Sequence, residues 1–153
     1  MNKNHSCAIG IQSLLWPDAL KIPSKKFRLF VAANVTDIDT QVLADFGKIA
    51  LQKGMVYFCA WGPDCERFHD ILDEVIVADD LGNRLFVGPN VNDTVMTTWH
   101  DKETLEDAVE FFATMACPTE GFRPDSNYWV AICLDNPEWE TIIRDQLQNA
   151  RLA

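Results

Sequence analysis

Long apolar runs are missing from this chain. No stretch of about 18 or more apolar residues occurs, so no membrane span is expected. The apolar character of Ala8–Leu15 is broken by Gly10, Gln12 and Ser13, and no signal peptide is expected either. The common signatures of chemistry are missing too. No G-x-G-x-x-G follows a strand-like segment, which argues against a dinucleotide site of the usual kind. No G-x-x-x-x-G-K-[ST] occurs, which excludes a standard phosphate-binding P-loop, and no G-x-S-x-G provides a nucleophile elbow. No C-x-x-C pair is present, and the five cysteines are odd in number. A disulfide scaffold is therefore disfavoured, and a reducing cytoplasm is the expected compartment. Cys59, Cys65 and His69 do not make a zinc pattern. No metal and no cofactor is implied.

Basic residues are scarce. Thirteen Lys and Arg face 23 Asp and Glu, a net charge of −10. That balance argues against nucleic acid and anionic membrane surfaces as partners, and permits a basic protein partner. The acids are clustered: Asp64–Asp80 holds seven with only Arg67 among them, and Asp101–Glu110 holds five with only Lys102. Solvated helix faces are the plain reading of such runs. Their functional reading is a surface for a basic partner, built from Glu66, Asp70, Asp73 and Glu74 on one helix and Glu103, Glu106, Asp107 and Glu110 on another.

What the chain does have is a repeated strand–turn–helix grammar. Met55–Ala60 is a continuous apolar run of the kind that fills a central parallel strand. Gly62 and Pro63 then stop it. Pro63 suits a first helical position and Asp64 a first turn. Phe68, Ile71, Leu72 and Val75 follow at helical spacing. Phe27–Asn34 is a similar strand. After it come a cap at Thr36 or Asp39, an apolar stripe of Val42, Leu43, Phe46, Ile49 and Ala50, and Gly54 at the C-terminal cap. Val75–Ala78 is β-branched enough to suggest a further strand, paired back through a turn with Arg84–Val87. Thr94–Trp99 reads as a strand, Asp101 as a cap, and Leu105, Ala108, Val109, Phe112, Met115 and Ala116 as the stripe of the next helix. Tyr128–Leu134 is the last strand, and Asn136-Pro137 opens a final helix carrying Trp139, Ile142, Ile143 and Leu147.

Strands alternating with amphipathic helices predict an α/β fold. The expectation is a single three-layer Rossmann-like or flavodoxin-like domain with a mainly parallel sheet of about four or five strands and helices on both faces. Residues 27–153 form that domain. Residues 1–26, punctuated by Trp16-Pro17 and Ile22-Pro23, form a partly irregular arm that packs Leu14, Leu15 and Trp16 on it.

Ligands of such sheets bind beyond the carboxyl ends of the strands, where strand order reverses. The residues there that could contact a small polar ligand are Asn34, Trp61, Asp64, Trp99 and His100; the two Trp rings are flat walls for stacking. His100 beside Asp101 is the strongest candidate for acid–base chemistry, with Asp37 and Asp39 as further carboxylates. This site requires Phe27–Asn34 and Thr94–Trp99 to be neighbouring strands. Cys65, near a helix N-terminus, is the candidate for a thiol of lowered pKa. With no catalytic motif to name a reaction, the expected function is that of a small acidic cytoplasmic binding or interaction protein of inhibitor, immunity or accessory type. The alternative is a hydrolase- or transferase-like enzyme, or a small-ligand-binding domain, working through His100 and its carboxylates.

Overall fold

A computed structural model describes residues 5–81, 89, 90 and 92–152. Among the described residues, five strands and four α-helices follow one another: β1 Ser6–Ile11, β2 Phe27–Ala32, α1 Thr40–Lys53, β3 Met55–Trp61, α2 Cys65–Leu81, β4 Met96–His100, α3 Leu105–Thr114, β5 Trp129–Leu134 and α4 Pro137–Leu152. A short 3-10 turn at Glu120–Asp125 leads into β5. The strands form one parallel sheet in the order β1-β5-β2-β3-β4. This is a three-layer α/β domain.

Side-chain alternation along the strands explains the two layers of core. Leu29 and Val31 of β2, Phe58 and Ala60 of β3, and Val130 and Ile132 of β5 face α1 and α2. Phe30 and Ala32, Tyr57 and Cys59, and Ala131 and Cys133 face α3 and α4. Apart from Arg28, second in β2, which donates to the Ala116 and Ser126 carbonyls, the three central strands are apolar throughout because both faces are covered. At the α1 boundaries, Asp39 accepts a hydrogen bond from Gln41 N at 2.8 Å, and Gly54 closes the helix at φ 111°. The Gly54 amide bonds back to the Leu51 carbonyl, a left-handed cap that glycine adopts without a steric cost. Gly62 takes φ 118° where a Cβ would strike the Ala33 carbonyl, so the turn after β3 lies against the chain leaving β2.

Several expectations change. Ser6–Ile11 is not irregular; it is the edge strand beside β5, with Cys7, Ile9 and Ile11 packed toward the α1 layer. Beyond it, Leu14 is buried and Trp16 lies against Phe27 and Phe46, but Leu15 is 67% exposed. Val75–Ala78 is not a strand. It continues α2, where Val75 and Ile76 prolong the stripe of Phe68 and Leu72 into the core. Burial on a helical stripe outweighs the few tenths of a kcal/mol that β-branching costs a helix residue. The pairing segment Arg84–Val87 lies outside the described residues. Pro63 and Asp64 precede α2 instead of opening it, Asp64 having φ 64°. Thr104, not Asp101, caps α3 by accepting from Asp107 N at 3.1 Å. No helix among the described residues is long and apolar enough to cross a membrane.

Candidate functional site at the strand-order reversal

The sheet grows in one direction through β2, β3 and β4, then restarts on the other side of β2 with β5 and β1. The chain leaving β2 enters α1 on one face, and the chain leaving β5 enters α4 on the other. The carboxyl ends of β2 and β5 therefore part their loops, which is where doubly wound sheets leave a crevice. A cleft of about 700 Å³ occupies that place. Its walls are Gln12, Ser13 and Leu14 after β1, Asn34, Asp37 and Ile38 after β2, and Leu134, Asp135 and Asn136 after β5. Val42, Pro63 and Trp139 complete them.

Local folding fixes these groups. Asp135 sits at φ 46° and its amide bonds to the Ile11 carbonyl at 2.7 Å, which ties the β5 loop to the end of β1. Asn136 caps α4 by accepting from Trp139 N at 3.0 Å. Asn34 Oδ1 accepts from Thr36 N at 3.1 Å. The Asp37 and Asp135 carboxylates have no hydrogen-bond or ion-pair partner among the described residues, and both are exposed.

The other strand-end candidates lie elsewhere. β2 pairs with β3 and β5, whereas among the described residues β4 pairs with β3 alone. The expected neighbourhood of Phe27–Asn34 with Thr94–Trp99 is therefore corrected: β3 separates them, and the Asn34–Asp39 loop does not share a pocket with Trp99 and His100. Nor do those two residues face the same way. Trp99 packs on His69 of α2, with ring centroids 4.5 Å apart, on one side of the sheet. His100 packs on Phe111 of α3, 4.7 Å apart, on the other. His100 is buried; its Nδ1 is 2.8 Å from Glu103 Oε1 and its Nε2 is 3.0 Å from Thr98 Oγ1. Trp61 donates Nε1–H to the Glu103 carbonyl at 2.9 Å and meets Trp139 edge-on at 4.9 Å. Asp64 pairs with Arg67 at 2.6 Å. Asp39 is occupied as the α1 cap, and Asp101 is exposed just after β4.

The acidic residues also separate. α2 and α3 lie on opposite faces of the sheet, so their acids do not make one surface. Asp70 and Asp73 meet His69 and Thr97, and Glu103 meets His100. Glu66, Glu74, Glu106, Asp107 and Glu110 are left exposed.

The three buried thiols, Cys59, Cys65 and Cys133, are poorly placed for reaction. Burial pushes Cys65 up, reversing the expectation of a lowered pKa, because the side chain is 1% exposed although it begins a helix. Burial raises Cys59 to about 12 and Cys133 to about 11. Among the described residues no group of three or more His, Cys, Asp or Glu is arranged to hold a metal ion.

The wall residues at Gln12–Leu14, Asp135, Asn136 and Trp139 were absent from the sequence-derived list. Their signal was faint. Cys7, Ile9 and Ile11 alternate as a strand does, but a six-residue edge strand containing Gly10 is hard to tell from a coil. Asp135-Asn136-Pro137 marked a strand end without showing which other loop it would meet.

No curated protein and no solved structure matches the chain. One protein family does, over residues 12–150, the span that carries all of the cleft. The chain belongs to that family, DUF7684, a domain of unknown function.

Proposed function

We propose that this is a small cytoplasmic binding protein that takes its ligand in the cleft between the ends of β1, β5 and β2. One observation carries the reading: the cleft combines a small-molecule volume, an apolar wall and two carboxylates without described partners, and its described lining includes no His, Cys or basic residue. Such a lining suits recognition more than bond making. His100, the side chain best suited to acid–base work, is buried and held by Glu103 and Thr98 away from this cleft, which supports a bracing role. Five free cysteines, three of them buried, fit a reducing compartment.

The test is a ligand-observed and protein-observed NMR screen with a mixed library of cationic, neutral and anionic fragments. The reading expects saturable amide shifts concentrated in residues 12–14, 34–38 and 134–139. Shifts that never concentrate there would overturn it.

A second reading, capture of a basic protein, has a narrower support. Arg67, the one base in the acidic run of α2, is turned inward to Asp64 and to the carbonyls of Val35 and Ile38. It leaves Glu66 and Glu74 uncompensated on the outer face. Association through that face should weaken as salt rises, because screening acts over about 8 Å at physiological ionic strength. A complex indifferent to salt and to neutralising Glu66 and Glu74 would exclude this surface.

A further inference from the structure

We infer that the cleft selects an organic cation, an amine or guanidine carried on a ring or alkyl body; this rests on the cleft being a binding site at all. Three features of the lining point the same way.

The first is charge. Among the described residues of the wall, Asp37 and Asp135 alone are charged; they come from loops on either side of the strand-order reversal, and neither is neutralised by a described neighbour. An anion entering here would meet two carboxylates and no cation. A cation would gain charge-assisted hydrogen bonds to one or both.

The second feature concerns the two helix N-termini that border the cleft. In folds of this class such termini often receive phosphate. Here Asp39 places a carboxylate on the α1 terminus, accepting from Gln41 N, and Asn136 occupies the α4 terminus, accepting from Trp139 N. One first-turn amide at each terminus is thus already engaged by the chain's own side chain, at α1 by a negative group that a phosphate would have to approach.

The third feature is the apolar part of the wall. Leu14, Ile38, Val42, Leu134 and Trp139 cover what the acids do not. A fully hydrated inorganic cation would gain nothing from them, whereas the body of an organic cation would be dehydrated against them. The Trp139 indole can also attract a positive charge through its ring face.

The experiment titrates uniformly labelled protein with three probes that share a body and differ in charge: 2-phenylethylamine, 2-phenylethanol and 3-phenylpropanoate. The variant Asp37→Asn/Asp135→Asn is titrated alongside, its fold checked by amide dispersion; asparagine tolerates the left-handed backbone of residue 135. We expect the amine to shift residues 12–14, 34–38 and 134–139 with a Kd about tenfold below that of the alcohol, the scale of one charge-assisted hydrogen bond. The double variant should erase that advantage. Equal binding of amine and alcohol, tighter binding of the carboxylate, or full retention of amine binding by the double variant would each overturn the inference. So would amine-induced shifts confined to α2 or α3. The two levels fail differently. If the broad fragment screen fills the cleft and the amine does not, charge selection is wrong and the binding site stands. If no fragment of any charge enters the cleft, the site itself is wrong.

Discussion

The two ends of the sheet's carboxyl edge are built on opposite plans. At the β3–β4 end, the His, Trp and Asp side chains put forward as site residues mostly close on the chain itself: His100 on Glu103 and Thr98, Trp61 on the Glu103 carbonyl, Asp64 on Arg67. At the β5–β2 end, the two carboxylates of Asp37 and Asp135 project into a cleft with no described partner. A titratable residue at a strand end is therefore not evidence of a site by itself. What separates brace from site is whether the chain has already used the group's hydrogen bonds. Buried polar groups that are satisfied by neighbours stabilise one packing arrangement, and exposed groups that are left free in a concavity can be offered to something else.

The largest effect should come from the strand that supports the closed end. Phe58 is fully buried on β3 and packs edge-on against Phe68 at 5.1 Å. Phe58→Ala should cost about 3–5 kcal/mol, read as a fall in the denaturation midpoint. A midpoint that barely moves would remove β3 from the core and with it the contrast between the two ends.

The next effect tests the brace itself. His100→Ala deletes a buried ring packed on Phe111 and removes the ring nitrogens that meet Glu103 and Thr98. The expected loss is about 2 kcal/mol by chemical denaturation, within the range for breaking a partly buried hydrogen-bonded group. If stability is unchanged but ligand binding disappears, the roles assigned to the two ends are reversed.

The thiols beneath the two ends give a graded test. Cys59 lies under the closed end and accepts a hydrogen bond from Thr98; Cys133 lies under the cleft and donates to the Asn136 carbonyl. Burial raises their pKa from 9.0 to about 12 and about 11. The unfolded chain binds these protons less tightly than the folded one, so their contribution is complete below about pH 9 and is lost as pH rises. Between pH 9 and 11 each thiol should take away stability, on the order of 1 kcal/mol per pH unit, and between 11 and 12 only Cys59 should. Denaturation midpoints measured across this range should fall less steeply for Cys59→Ala and for Cys133→Ala than for the parent. The Cys59 variant should keep its advantage to the higher pH. Parallel curves for all three proteins would mean that neither thiol is shielded.

The central sheet was legible because its strands are near-continuous apolar runs, broken only by Arg28, and its helices carry regular stripes. Phe27–Ala32, Met55–Trp61 and Trp129–Leu134 needed no information beyond that. The edges were not legible. Val75–Ala78 has strand-like composition, yet the stripe begun at Phe68 claims it for α2, because the tertiary contact decides between two locally tolerable conformations. Ser6–Ile11 has weak composition and becomes a strand because β5 offers it a paired edge. The candidate site depended on these same edges. Once β5 is placed beside β2 and β1 beyond it, Asp37 and Asn34 share a cleft with Asp135 and Trp139 instead of His100. Sequence spacing identified strand ends as the place to look, but only strand order could say which ends meet.

The smallest effect on stability should come from the open end, and it is the most informative about the contrast. Asp37 and Asp135 are exposed and make no side-chain hydrogen bond to a described residue. Surface changes of this kind usually alter stability by less than about 0.5 kcal/mol. Neutralising both carboxylates also removes two negative charges from a chain of net charge −10. Self-repulsion falls slightly, so any change should be toward greater stability. The Asp37→Asn/Asp135→Asn protein should therefore melt at or just above the parent temperature in low salt, and the difference should shrink as salt screens the field. A clear loss of stability would show that one of these carboxylates is held by the fold after all. The open end would then be another brace, and the division between the two ends of the sheet would fail.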